Sequence, residues 1–219
     1  MAGFPDSAVT VTVQELRSGV ARDILAESHK DYHAVVCGRT GANPFEEFVL
    51  GGVAKKILDR MVHVPLCLVG ARANPGHVLL ALDGSNGSFD AVDFVAETLG
   101  RATRVELFHA LRGFRMFVRD PGGLVTEDRE QEWLDRYEME DVFERARERL
   151  MAAGVGTVSS KLVKGVASRA GAIVGEAREG RFGTVVLGRR GHSAVADFSI
   201  GRVADKVVQM ARDRAVWIV

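Results

Sequence analysis

The chain has 219 residues, enough length for one or two domains with their own cores. Its 29 basic residues balance 29 acidic ones, so no long-range field gathers polyanions, and bulk binding to nucleic acid or a membrane surface lacks its usual footprint. No apolar run approaches the ~18 residues of a membrane span and no basic-then-apolar leader opens the chain, so a cytoplasmic location is expected.

The first informative stretch is 35–69, VVCGRTGANPFEEFVLGGVAKKILDRMVHVPLCLV. It reads as an apolar strand, a glycine loop, a helical stretch and a second apolar strand. Cys37 and Cys67 sit inside the two apolar runs with no C-x-x-C spacing, so they read as small buried hydrophobes rather than a redox pair. His29 and His33 stand four apart without a third ligand near them in sequence, which favours a surface pair over a zinc site. A turn-rich linker, GARANPG, covers 70–76.

Beyond it, Val78 to Leu82 is a continuous apolar run, the pattern of a strand covered on both faces. The turn cluster Asp83-Gly84-Ser85-Asn86-Gly87-Ser88 follows. A helix is then expected from about Ser88 to Leu99 with Ser88 as its N-cap. A strand follows at Arg104 to Ala110, then a loop with Pro121, Gly122 and Gly123, and a charged helix from about Glu130 to Ala153. The rest alternates: strand Thr157 to Val163, helix Ser168 to Glu179, strand Thr184 to Leu187, helix Arg202 to Arg212, strand Ala215 to Val219. Such alternation predicts a doubly wound α/β fold with a parallel five-stranded sheet and right-handed crossovers.

The last 35 residues repeat the earlier unit. Residues 35–69 align on 185–219 without a gap at an offset of 150, with 11 identities in 35 pairs. Both copies carry Gly-x-x-Gly, nine residues and a third glycine: Gly38, Gly41, Gly51 and Gly188, Gly191, Gly201. A repeated unit of this size means two homologous lobes. The spacing also has a chemical reading. Two glycines after a buried strand let backbone amides face outward, and the third opens a helix, so the loop is a candidate anion cradle.

The strand end ALDGS around Asp83, the segment Lys164-Gly165-Val166-Ala167, and Gly188-x2-Gly191-x9-Gly201 followed by Val203 and Lys206 resemble the universal stress proteins. The resemblance covers all of 77–219. It covers 9–70 only as the C-terminal half of a second copy: strand Ala8 to Val13, helix Val20 to Lys30, strand Ala34 to Cys37, the loop, helix Gly52 to Met61 and strand Val64 to Val69. It implies a tandem-type chain with an incomplete lobe at 1–70, a linker at 71–76 and a complete domain at 77–219. The fold implied is that of the adenine nucleotide alpha hydrolase-like proteins, with strand order three-two-one-four-five.

In that order the first and fourth strands are neighbours, and the crevice between their carboxyl ends is where such sheets bind ligands. By resemblance Asp83 holds a ribose hydroxyl, Ala81 and the backbone near Ala110 border the adenine, and Gly188, Gly191 and Gly201 wrap the phosphates of ATP, with Mg²⁺ if a metal is used. Family members that bind nucleotide carry Ser or Thr after the third glycine. Arg202 stands there in one lobe and Gly52 in the other, so the contact falls to the Arg202 guanidinium or is lost. Arg189 and Arg190, between the first two glycines, supply further positive charge or a solvated basic surface, and His192 a ring nitrogen.

No nucleophile, base or metal grouping emerges, so catalysis beyond slow ATP hydrolysis is not expected. The incomplete lobe has no counterpart of Asp83 and should bind no nucleotide. Its strand at 34–37 lacks a neighbour, and that edge needs a cover. Either Met1 is an internal methionine of a longer tandem protein, or a second copy or another partner fills the gap. The family's last strand is commonly a dimerisation edge, so Pro65 to Val69 and Ala215 to Val219 are expected to pair within the chain as a pseudo-dimer, or else in a homodimer. Two functions follow: an adenine nucleotide-binding stress regulator, or a nucleotide-free interaction module that recruits a partner through Gly113 to Arg136 or the half-lobe edge.

Overall fold

The computed structural model describes residues 5–39, 50–99, 104–112, 127–192 and 199–219, with 127–137 as backbone only. Gly41 and the loop of Pro121, Gly122 and Gly123 lie outside the described residues, as does most of the expected recruiting segment from Gly113 to Arg136. The first lobe supplies α1 (Val20–Glu27), β1 (Val35–Gly38), α2 (Gly52–Arg60) and β2 (Leu66–Val69). The second supplies β3 (His77–Ala81), α3 (Asn86–Thr98), β4 (Arg104–Arg112), α4 (Glu127–Ala152) and β5 (Thr157–Val166). It continues through α5 (Arg169–Glu179), β6 (Thr184–Leu187), α6 (Arg202–Met210) and β7 (Ala215–Ile218).

These strands form one seven-stranded sheet of order β1-β2-β7-β6-β3-β4-β5. Within it β5-β4-β3-β6-β7 is wholly parallel and has the order three-two-one-four-five. The expected five strands become seven because β2 joins β7 in antiparallel register, with Leu66 opposite Ile218, Cys67 opposite Trp217 and Leu68 opposite Val216. The last strands of the two repeats therefore pair within the chain, and β7 has no open edge.

Alternation along the strands sorts side chains to two faces. Val78, Leu80, Leu107 and Val186 pack under α3 and α4 against Val92, Val95, Phe143 and Leu150. Leu79, Leu187, Val216 and Ile218 pack under α2, α5 and α6 against Ile57, Leu58, Ile173, Val207 and Val208. This second core crosses the lobe junction without a break. Burial of large aliphatic side chains stabilises by about 1.5–3 kcal/mol each, so the shared core docks the first lobe firmly.

Two sequence expectations are corrected. The N-cap of α3 is Ser85, whose side chain accepts from the Ser88 amide, while the Ser88 hydroxyl donates to the Ser85 carbonyl. Ala8 to Val13 forms no strand, and Val9, Val11, Val13 and Leu16 are exposed. The repeat offset gives this stretch the place of β5, which pairs only with β4. Among the described residues no first-lobe strand is equivalent to β4, so the Val-Thr alternation has no ladder to join there.

Candidate functional site

The site is built where β3 and β6 end side by side. Asp83 follows β3 and turns its carboxylate into the loop after β6. Its Oδ1 accepts from the Ser85 amide at 3.1 Å and the Ser85 hydroxyl at 2.5 Å. A Cβ added at Gly191 would lie 2.2 Å from Asp83 Oδ2, so the loop backbone runs directly against the carboxylate. A Cβ at Gly188 would lie 2.4 Å from the Gly87 carbonyl oxygen. At Gly188 the crowding atoms are backbone and require glycine, whereas at Gly191 a side chain would displace the Asp83 carboxylate. His192 closes the same corner, its Nε2–H donating to the Asp83 carbonyl at 2.7 Å.

The third glycine completes the cradle. The Gly201 amide donates to the Arg189 carbonyl at 2.8 Å, which folds the loop back on itself. Gly201 is also the N-cap of α6 and offers no side-chain cap, whereas α3 and α5 are capped by Ser85 and Ser168. An uncapped first turn keeps amide donors and the positive end of the helix dipole available to an anion. Beside these groups lies a cleft of ≈ 740 Å³, bordered by Ser85, Asn86, Asp90, Arg190, Gly191 and His192, with Val62 and Val219 on its flank. That volume suits a nucleotide-sized ligand.

The structure brings Asp83, Gly188, Gly191, Gly201 and His192 together as the sequence suggested. Of these, Gly191 and His192 border the cleft, while Asp83, Gly188 and Gly201 stand behind its lining; Ala81 and Ala110 are buried in the core and do not line it. Arg202 is exposed on the first turn of α6 and does not line it either. Arg189 borders the cleft and also reaches into the lobe junction. Its guanidinium is buried, and Nη1 donates to the Leu58 carbonyl at 3.0 Å and more weakly to the Ser199 carbonyl at 3.4 Å. Burial, with Arg190 beside it, lowers its pKa to about 10. Arg190 borders the cleft beside it and is exposed. Ser85 and Asn86 were legible as part of a turn cluster, but Val62 and Val219 had no signal in the sequence.

Arg189 has a twin. Arg39, its equivalent by the repeat, is also buried and donates from Nη2 to the Val208 carbonyl. Leu58 and Val208 are themselves repeat equivalents near the ends of α2 and α6. Each loop arginine therefore caps the carboxyl end of the opposite lobe's helix, where unpaired carbonyls and the negative dipole end favour a cation.

Other clusters are structural. His29 does not pair with His33 but stacks on His63, with ring centroids 3.9 Å apart. Among the described residues no group of three His, Cys, Asp or Glu is placed to hold a metal. Both thiols are free, and burial pushes Cys67 up to about 12. A larger hollow of ≈ 810 Å³ at the other end of the strands is bordered by Arg72, Arg178, Arg212, Asp213 and Arg214. Its arginines finish helix and loop ends: Arg214 Nε donates to the Phe182 carbonyl at 2.8 Å and Arg212 Nε to the Gln209 carbonyl at 3.0 Å. Size alone does not make it the site.

The fold and site define a doubly wound α/β protein with a glycine-lined crevice at the switch point of its sheet. Residues 75–217 match the family described as the universal stress protein family, and the chain belongs to it. No curated protein matches the chain in a sequence comparison. Among solved structures, a putative universal stress protein from Pseudomonas aeruginosa is 16% identical at a TM-score of 0.62, covering 93% of this chain and 69% of its own. A universal stress protein from Archaeoglobus fulgidus is 21% identical at 0.55, covering 90% and 64%. The hypothetical protein MJ0577 is 21% identical at 0.53, covering 66% and 94%. These likenesses concern the fold, and the first two extend over both lobes. Among the described residues no helix is long and apolar enough to cross a membrane.

Proposed function

We propose that the protein is a stress regulator that binds one adenine nucleotide, ATP or AMP, in the cleft beside Asp83, and that it binds rather than catalyses. The observation that carries this reading is the contact between the Asp83 carboxylate and the backbone at Gly191, next to the uncapped start of α6. A carboxylate accepts from ribose hydroxyls, and outward amides with Arg190 suit phosphates. Mg²⁺ would arrive with the phosphates, since one carboxylate suits a metal that keeps most of its water. Residues 1–70 and 77–219 are read as an incomplete and a complete lobe of one tandem design, joined at 71–76. The test is a thermal shift of freshly stripped protein with ATP and Mg²⁺. A rise in Tm that D83N abolishes supports the reading, and no rise at millimolar nucleotide refutes it.

The exposure of Val9, Val11, Val13, Leu16 and Val36 favours a second reading, a nucleotide-free interaction module using the first lobe. Under it, Asp83 and Gly191 variants leave partner binding intact.

A further inference from the structure

The incomplete lobe touches the cleft it cannot itself form. Val62, just past α2, lies on the cleft's flank although 57% of its surface is exposed. Arg189, within the glycine loop, is held by Leu58 of α2 at 3.0 Å. Its amide donates to the Val219 carbonyl at 2.6 Å, and Val219 borders the cleft just beyond the strand that pairs with β2. Three routes thus join the cleft to the lobe junction: a wall residue, a side-chain bond and a backbone bond.

We infer that the first lobe is a working part of the ligand cleft, with Val62 as an apolar wall residue contributed across the junction and Arg189 as the positioning residue that sets the glycine loop from α2. The inference rests on the proposed nucleotide reading and concerns how that same site is assembled and regulated. When the first lobe is docked, the loop has its anchor at Leu58 and the cleft has its flank. When the lobe lifts away, both are lost while Asp83 stays in place. A ligand that uses the loop therefore binds the docked state more tightly, and by linkage its binding must hold the lobe down by the same factor.

Cys67 gives a direct readout. It lies on β2 opposite Trp217 of β7 and is 2% exposed, so a thiol reagent reaches it when the junction opens. In a C37S background the labelling rate of Cys67 reports lobe release. Saturating ATP with Mg²⁺ is expected to slow labelling about tenfold, within the ordinary range of coupling between sites. In C37S/R189M the nucleotide, at a concentration that still saturates by native mass spectrometry, is expected to slow it less than twofold. R189K, which restores one donor to the Leu58 carbonyl, should recover part of the effect. V62D, at an exposed position that the fold tolerates, should weaken ATP binding about fivefold.

The failures separate. If ATP binds the parent C37S protein and labelling of Cys67 does not change, the coupling is wrong and the nucleotide reading stands. If V62D binds ATP as the parent does, Val62 is not a wall residue. If R189M retains full protection, Arg189 is not the positioning residue. If no ATP binds the parent protein, the nucleotide reading itself falls and the inference falls with it.

Discussion

Val36 and Val186 occupy the same place in two copies of one unit, yet the first is 59% exposed and the second fully buried. Val186 has β3 on one side, β7 on the other and α3 and α4 above it. Val36 stands on β1 at the end of the sheet, with β2 as its only partner strand among the described residues. The same contrast decides the two glycine loops. The loop after β6 meets Asp83 because β3 lies beside it. Beside β1, among the described residues, stands β2 and no strand equivalent to β3. In such sheets a ligand crevice lies where neighbouring strand ends diverge, so under the proposed reading the strand beside the glycine loop, and not the glycine spacing alone, makes the site.

The comparison breaks first at its glycines. G188A pushes a Cβ into the Gly87 backbone and is expected to cost about 3 kcal/mol, read by denaturant unfolding. G52A, where an added Cβ meets nothing within 4 Å, is expected to be neutral or stabilising by about 0.5 kcal/mol. Equal losses at both positions would contradict the difference in crowding between the loop after β6 and the start of α2.

The arginine pair sharpens the symmetry. R39A and R189A should each cost about 2 kcal/mol, because each leaves a helix-end carbonyl of the opposite lobe without its cation. Only R189A should also weaken ATP binding in calorimetry. A matching loss of affinity in R39A would contradict the assignment of the site to the second lobe alone.

Asp83 comes next. D83N keeps the shape and removes the charge, and is expected to lower ATP affinity about tenfold with little change in Tm. A smaller effect belongs to Glu106, whose carboxyl is raised above the usual range by burial and by Glu176 nearby. The folded state holds that proton more tightly than the unfolded one, so the site contributes stability below the ordinary glutamate pKa and loses it as pH rises through the raised value. E106Q should therefore melt higher than the parent at neutral pH, with the gap closing toward pH 4. A gap that widens on acidification would reverse the sign.

Much of this was legible in the sequence for physical reasons. Continuous apolar runs such as Thr184 to Leu187 mark strands buried on both faces, and the observed strand has those bounds. The family resemblance, with its last strand as a dimerisation edge, implied the pairing of Pro65 to Val69 with Ala215 to Val219, and Leu66 to Leu68 pair with Val216 to Ile218. Local pattern misled at Ala8 to Val13, where β propensity is high and no partner strand exists. At Arg189 it showed a charge beside the cleft but not the bond to the Leu58 carbonyl, because the opposite helix end is far away in sequence. Val62 was hidden because nothing in a linear chain says which surface a docked lobe will reach.

The most direct test is native mass spectrometry of the stripped chain titrated with ATP and Mg²⁺. The account predicts one nucleotide per chain, lost in D83N at the same concentration. Two nucleotides per chain would mean that the first lobe has a working loop without its neighbour, and none would mean that the crevice beside Asp83 is only a turn.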